Sequence, residues 1–132
     1  MSAKKILKAF TDIPFRKNLF LDKNVIITGG GTGLGRKMAE TYLNLGANVI
    51  IASRKEDVLK KTCEELSDIS EDIDYRVLDL KCSKSVNNFV NNLDEIPEVV
   101  INNSAGNFIC PTEHLTYNGW NSILDIVLKG TM

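Results

Sequence analysis

A glycine-rich segment is the feature that most constrains how this chain can fold. It consists of Thr28, Gly29, Gly30, Gly31, Thr32, Gly33, Leu34 and Gly35. The apolar residues 25–27 precede it, and a helical pattern follows. A chain that turns sharply from a strand into a helix, with a pyrophosphate against its backbone, needs residues without a Cβ, and Gly29, Gly33 and Gly35 fit those positions. The segment therefore predicts a dinucleotide site, although similar loops also occur as plain turns.

The same segment supplies groups that attract phosphate. The free N–H groups and the positive end of a helix that starts near Gly33 can face an anion without the help of a cation. The hydroxyls of Thr28 and Thr32 can add two hydrogen-bond donors. Every residue from Thr28 to Gly35 is therefore predicted to contact the cofactor.

The composition is that of one small globular domain. The chain has 132 residues and a formal net charge of −1, so it lacks the positive charge of a nucleic-acid-binding protein. Cys63, Cys82 and Cys110 are far apart and form no Cys-x-x-Cys pair, which indicates reduced, intracellular thiols rather than a disulfide framework or a zinc site. No apolar run reaches the roughly 20 residues that span a bilayer. Neither a metal nor a membrane span is expected.

From Lys23 onward, strand and helix patterns alternate. Strands are predicted over 25–28, 48–52, 74–78 and 98–102, and helices over 33–45, 55–67 and 83–93. A last helix carries an apolar stripe at i, i+3, i+4, i+7 and i+8, formed by Trp120, Ile123, Leu124, Val127 and Leu128. Repeated βα units predict an α/β fold, a Rossmann-type doubly wound parallel sheet of about four strands.

The residues after the second strand indicate which nucleotide binds. An NAD site places an acidic residue here to accept hydrogen bonds from the ribose 2′-hydroxyl, whereas a 2′-phosphate requires a cation. This chain has Ser53 and Arg54 instead. A guanidinium holds a phosphate with two parallel hydrogen bonds and Ser53 can donate a third, so NADP(H) is the predicted cofactor. The alternatives are that Ser53 and Glu56 form a capping box that starts a helix, and that Arg54 is a solvated surface charge.

Two later segments carry a family resemblance. They are Asp79-Leu80 after the third strand and residues 102–106, Asn-Asn-Ser-Ala-Gly, after the fourth. With the Thr-Gly-x-x-x-Gly-x-Gly spacing, they resemble the short-chain dehydrogenase/reductase family. The resemblance implies that Asp79 and Leu80 contact the adenine, although a turn or capping role for Asp79 is the alternative. It also implies that the backbone passes close to the cofactor at Asn103, Ala105 and Gly106.

The residues around the fourth strand and the last helix narrow the resemblance. Segments 51–54, 103–109 and 125–128 are similar to the 2,4-dienoyl-CoA reductases of the family, the mitochondrial ones in particular, and the resemblance runs from about Leu21 to the final residue. This implies NADPH-dependent reduction of a 2,4-dienoyl-CoA thioester in fatty acid β-oxidation. Asn107 would be the catalytic amide that hydrogen-bonds the thioester carbonyl, with a turn residue as the alternative. The implied contacts to the acyl-CoA substrate are made by Arg54, Lys81, Phe108 and Thr116.

The last helix departs from the general family pattern. Most short-chain dehydrogenases carry an Asn of a proton relay where this chain has Val127, and the dienoyl-CoA reductases share that departure; an apolar residue there otherwise indicates core. The family's catalytic Tyr and Lys have no counterpart, because Tyr42, Tyr75 and Tyr117 lie in other contexts. The chain is therefore expected to be an incomplete N-terminal portion, inactive by itself. The alternatives are a non-catalytic NADP-binding or dimerisation module and a related enoyl-CoA reductase.

Residues 1–20 are predicted to form a basic arm, separate from an NADP-binding part over residues 21–132. The arm carries Lys4, Lys5 and Lys8, with apolar residues at helical spacing. Two interpretations stay open, a mitochondrial presequence and an arm that lies on the domain surface. A mitochondrial location is expected, with the cytoplasm and the peroxisome as alternatives, and the full-length form is expected to be a homo-oligomer.

Overall fold

Four short strands rich in β-branched residues alternate with four helices. The computed structural model of the protein describes residues 15–106 and 109–132. Its elements are β1 (Asn24–Thr28), α1 (Gly33–Asn44), β2 (Asn48–Ser53), α2 (Glu56–Leu66), β3 (Ile73–Val77), α3 (Ser83–Asn91), β4 (Val99–Asn102) and α4 (Tyr117–Val127), with 3-10 turns at Thr112–His114 and Lys129–Thr131. The predicted alternation is confirmed, and Gly46, at φ +88°, ends α1 where the sequence placed a stop.

The strands form one parallel sheet in the order β3-β2-β1-β4. Central strand β1 pairs with β2 on one side, with Val25 opposite Val49, and with β4 on the other, with Val25 opposite Val99. The chain leaves β3 at one edge and crosses β2 and β1 to reach β4, so the direction of winding reverses at β1. This is the predicted doubly wound α/β fold. Ligands of such folds bind beyond the carboxyl ends of the strands at this reversal.

One face of the sheet carries the hydrophobic core. Alternate strand residues point to the same face, and those on this face of β1 and β2 are at most 1% exposed: Val25, Ile27, Val49 and Ile51. Ala39 and Leu43 of α1 pack on them together with Leu59 and Leu66 of α2. Because α1 and α2 connect strands that follow each other in one direction, right-handed crossovers place both helices on this face.

The opposite face is covered more thinly. The crossover from β3 to β4 runs in the other direction, which places α3 on this face, and neither α3 nor α4 contains a buried residue. Val100, which alternates with the core-facing residues of β4, is 52% exposed. The stripe of α4 is also open, since Trp120 is 53% and Val127 is 45% exposed. The interpretation of Val127 as a core residue is therefore wrong for this chain.

The segment before β1 belongs to the domain from Phe20 onward. The Phe20 ring lies 4.8 Å from that of Tyr42 in an edge-to-face arrangement, and its N–H donates to the carbonyl of Leu45 at 3.0 Å. Residues 1–14, which carry most of the predicted basic arm, lie outside the described residues. Over the described ranges, no helix has the length and apolar character needed to cross a membrane.

Candidate functional site

An open cleft of about 560 Å³ lies at the carboxyl ends of the strands. It is lined by Gly29, Gly31, Thr32, Gly33, Leu34, Gly35, Ser53, Arg54, Lys55, Val58, Leu78, Asp79, Leu80, Asn103, Ser104, Ala105 and Ile126. The loops that follow β1, β2, β3 and β4 all contribute to this lining. The structure thus brings together the residues that the sequence predicted for the cofactor, except Thr28, Gly30 and Gly106.

The loop between β1 and α1 requires glycine for two physical reasons. Gly29 and Gly33 have φ values of +70° and +54°, in the left-handed region that side chains rarely adopt. A Cβ on Gly35 would lie 2.3 Å from the carbonyl oxygen of Gly29, so the turn can close only around glycine. At Gly33 a Cβ would meet nothing within 4 Å, which leaves the loop surface open towards the cleft.

The start of α1 offers positive potential to that open surface. Thr32 precedes the helix and makes no side-chain capping hydrogen bond, and the first turn of α1 contains no acidic residue. The leading N–H groups of a helix have no partner within the helix and carry its partial positive charge. The residues present therefore fit a pyrophosphate, which would supply the hydrogen-bond acceptors and the negative charge.

Thr28 lies in a different position from the one its predicted role requires. It is 4% exposed, and its hydroxyl donates to the carbonyl of Ile101 at 3.3 Å while accepting from the N–H groups of Asn103 and Ser104, both at 3.1 Å. The amide of Asn103 in turn donates to the carbonyls of Thr28, at 3.1 Å, and Gly29, at 3.3 Å. These bonds brace the first loop against the loop after β4, so the Thr28 hydroxyl is engaged within the protein.

Gly30 and Gly106 also serve packing. A Cβ on Gly30 would lie 2.5 Å from Cγ2 of Ile51, a fully buried core residue. A Cβ on Gly106 would lie 3.0 Å from Cδ1 of Ile126 on α4. At both positions, a neighbouring side chain occupies the space that a larger residue would need.

Ser53 is the last residue of β2 and does not cap α2. The capping-box interpretation is wrong, because α2 begins at Glu56 after Lys55, and no side chain caps it. Ser53 instead ends β2 and lines the cleft with Arg54, which is exposed. The ion pairs found among the described residues do not involve Arg54. Its guanidinium is thus open to an anion at the cleft edge.

The loop after β3 supports both interpretations of Asp79. Oδ1 of Asp79 accepts from the N–H of Lys81 at 3.0 Å, which is the turn role. Asp79 also lines the cleft beside Leu80, and a carboxylate has a second oxygen available as an acceptor. A turn contact and an adenine contact are therefore compatible here.

The predicted substrate contacts are less well placed. Lys81 is exposed and does not line the cleft. Thr116 is also outside the lining and caps α4, since its hydroxyl accepts from the N–H of Gly119 at 3.1 Å. Asn107 and Phe108 lie outside the described residues.

The sequence did not predict three of the lining residues, Val58, Leu78 and Ile126. Val58 lies in the first turn of α2, four residues after Arg54, and this short spacing was the available signal. Ile126 is out of phase with the apolar stripe of α4, and an apolar residue off the stripe was the signal for a second contact surface.

The thiols and carboxylates of the described residues form no separate centre. Cys63, Cys82 and Cys110 are free, and burial, together with the nearby Asp74 and Glu64, raises the pKa of Cys63. Across residues 15–106 and 109–132, no group of three or more His, Cys, Asp or Glu side chains could hold a metal ion.

Comparison with known proteins finds a matching family model and similar reductases. The short chain dehydrogenase family model matches residues 23–132. A probable 2,4-dienoyl-CoA reductase of Caenorhabditis elegans is 39% identical over 121 residues, which cover 88% of this chain and 39% of the relative. The peroxisomal 2,4-dienoyl-CoA reductase of Rattus norvegicus is 30% identical over 125 residues, or 89% of this chain and 41% of the relative.

A solved structure agrees with the sequence matches. The crystal structure of a short chain dehydrogenase from Bacillus anthracis superposes with a TM-score of 0.77 and 39% identity, covering 83% of this chain and 46% of that one. The chain therefore spans less than half the length of each of these relatives.

Proposed function

Because the chain belongs to the short-chain dehydrogenase family, we propose that its cleft binds NADPH and that it forms the nucleotide-binding part of a 2,4-dienoyl-CoA reductase. One observation carries this proposal. The glycine-rich loop, the end of β2 and the loop after β4 line a single cleft at the point where the winding of the sheet reverses. This is where doubly wound folds bind dinucleotides.

The adenine, the 2′-phosphate and the pyrophosphate of the cofactor would each meet chemically matching groups in the cleft. The N–H groups at the start of α1 would hold the pyrophosphate beside Gly33, where no side chain blocks the approach. The guanidinium of Arg54 and the hydroxyl of Ser53 would hold the 2′-phosphate. Asp79 would accept from the adenine amino group, and Leu78 and Leu80 would contact the ring.

The reductase assignment rests on similarity to the relatives. When bound, NADPH would supply the hydride for reduction of a conjugated dienoyl thioester. The side-chain amide of Asn107 would donate to the thioester oxygen and stabilise the negative charge that develops there. Phe108 would line the acyl path, and Lys81 and Thr116 would contact the CoA portion. Arg54 would contact the substrate as well as the cofactor.

We propose that this chain alone binds NADPH but does not reduce a substrate. Tyr42, Tyr75 and Tyr117 are described by the structure, and none of them lines the cleft. None is therefore positioned to supply a proton to a substrate there. Reduction by this chain would require an acid that these tyrosines do not provide.

A non-catalytic dinucleotide-binding or dimerisation module is the second candidate function. The exposed apolar residues of α4, Trp120 and Val127 among them, favour it because an open apolar surface promotes association. A related enoyl-CoA reductase is a third candidate, and the resemblance at Asn107 and Phe108 favours the dienoyl enzyme. We further propose a homo-oligomer for the full-length form and a mitochondrial location, with the peroxisome and the cytoplasm as alternatives.

Binding measurements with Arg54→Ala test the cofactor assignment. The unchanged protein should bind NADPH at least tenfold more tightly than NADH in calorimetric titrations. Loss of the guanidinium should weaken NADPH binding by about 10- to 100-fold, because charge-assisted hydrogen bonds to phosphate are lost, and should leave NADH binding unchanged.

Lys60→Ala is the matched control, since it removes an exposed cation of α2 outside the cleft. It should preserve the preference for NADPH. Retention of that preference by Arg54→Ala would contradict the 2′-phosphate assignment. Failure of the unchanged protein to bind either nucleotide would refute the proposal for the cleft.

A further inference from the structure

We propose that Thr62 is a positioning residue for the phosphate-binding loop, an inference that rests on the proposed NADPH function of the cleft. Thr62 lies on α2, outside the cleft lining, and is 4% exposed. Its hydroxyl donates a hydrogen bond of 2.8 Å to the carbonyl oxygen of Gly31. Gly31 is a buried residue of the loop between β1 and α1, and it lines the cleft.

This hydrogen bond fixes the orientation of one peptide unit in the loop. The C=O of Gly31 and the N–H of Thr32 belong to the same planar trans peptide and point in opposite directions. A carbonyl held towards α2 therefore turns the N–H of Thr32 away from α2. Because Thr32 lines the cleft, that N–H would be available to a phosphate there, while the carbonyl, which would repel one, is held towards α2.

The surroundings of Gly31 explain why its carbonyl oxygen needs a hydrogen bond from a side chain. A Cβ on Gly31 would lie 3.2 Å from Cγ1 of Val58 and 3.5 Å from Cδ2 of Leu59, so the loop packs on an apolar part of α2. A carbonyl in such surroundings needs a hydrogen-bond partner, and Thr62 provides it.

The direction of the Thr62 hydrogen bond is unusual for a threonine within a helix. A hydroxyl in a helix commonly donates to the carbonyl four residues earlier, as Thr41 of α1 does towards Lys37 at 2.8 Å. Thr62 instead reaches across to another segment. Arg54 lies just before α2, so this one helix would position both the 2′-phosphate contact and the pyrophosphate contact.

Thr62→Val tests the inference, because it keeps the shape of the side chain and removes the hydroxyl. NADPH binding should weaken about five- to tenfold, as expected for one lost hydrogen bond. Binding of adenosine 2′-monophosphate, which has the 2′-phosphate but no pyrophosphate, should stay unchanged in NMR titrations. Thr62→Ser should restore NADPH binding, and Thr41→Val, the matched control, should bind both ligands like the unchanged protein.

The outcomes separate this inference from the proposed function. If the unchanged protein does not bind NADPH, the proposed function fails. If it binds NADPH and Thr62→Val binds equally well, or loses both ligands to the same extent, the positioning role is overturned. Should Thr62→Val not fold, the amide proton of Thr32 in the unchanged protein decides: its resonance should shift with NADPH and not with adenosine 2′-monophosphate, and an unmoved resonance would contradict the inference.

Discussion

The two faces of the sheet differ in how well the helices that cover them are packed. On the face covered by α1 and α2, Ile27, Ile51 and Leu59 are completely buried. On the face with α3, no helix residue is buried, and Val100 of β4 is half exposed. The element order is regular, yet the burial of apolar area that stabilises a fold is concentrated on one side.

This difference extends to the cleft. The glycine-rich loop rests on the well-packed side, since Gly30 lies against Ile51 and Gly31 against α2. The other side of the cleft is formed by Ala105 and by Ile126 of α4, an element without buried residues. The phosphate contacts are therefore supported by the core, whereas the contacts after β4 lie on the less constrained part.

A pair of leucine truncations should show the largest contrast between the two sides. Leu59→Ala removes a fully buried side chain and should cost about 2–5 kcal/mol of unfolding free energy, because a cavity is left in the core. Leu128, which directly follows α4, is 56% exposed, and Leu128→Ala should change the unfolding free energy by less than about 0.5 kcal/mol. Urea denaturation of both variants at one protein concentration measures these values. Equal losses would show that the two faces are equally packed.

A pair of glycine substitutions should give a smaller contrast at the cleft itself. Gly30→Ala places a methyl group 2.5 Å from Cγ2 of Ile51 and should cost about 1–3 kcal/mol, because the core side chain cannot move without strain. Gly106→Ala meets only Cδ1 of Ile126, the flexible end of a side chain, and should cost less than about 1 kcal/mol. Thermal unfolding of the two variants compares them. A larger loss at Gly106 would reverse the assignment of the rigid side.

The fold could be predicted from sequence because its signals are local. The apolar run of β2 and the stop at Gly46 each follow from a few neighbouring residues, and the structure has both where they were expected. The exposure of the apolar stripe on α4 could not be predicted in this way. Its stripe has the spacing of a buried helix face, but whether Val127 is covered depends on what packs against it.

Only the part of the candidate site that depends on local sequence signals could be predicted. Residues that follow a strand in the sequence reach the cleft because parallel strands end at the same edge, which is why Arg54 and Asp79 line it. The hydroxyl of Thr28 has the same chemistry as a phosphate donor, but its engagement with Ile101 and Asn103 depends on the pairing of β1 with β4. The contact between Thr62 and Gly31 depends in the same way on how α2 packs against the loop.

The smallest expected effect concerns the contact that joins β4 to the well-packed side at its amino end. Glu98 accepts hydrogen bonds from the N–H of Asn24 at 2.8 Å and from Nζ of Lys23 at 3.0 Å, and these contacts hold the pKa of its carboxyl below the ordinary value of 4.5. Since the folded pKa is lowered, the contribution of the carboxylate is fully present above the unfolded value and is lost as the pH falls through the folded value. Glu98→Gln should therefore lower the melting temperature slightly at pH 7, and its difference from the unchanged protein should shrink below pH 4.5. Glu113→Gln, which alters an exposed carboxylate of the 3-10 turn before α4, is the control and should show no such pH-dependent gap. A gap for Glu98→Gln that stayed constant across this range would mean that β4 is held to β1 by the backbone pairing alone.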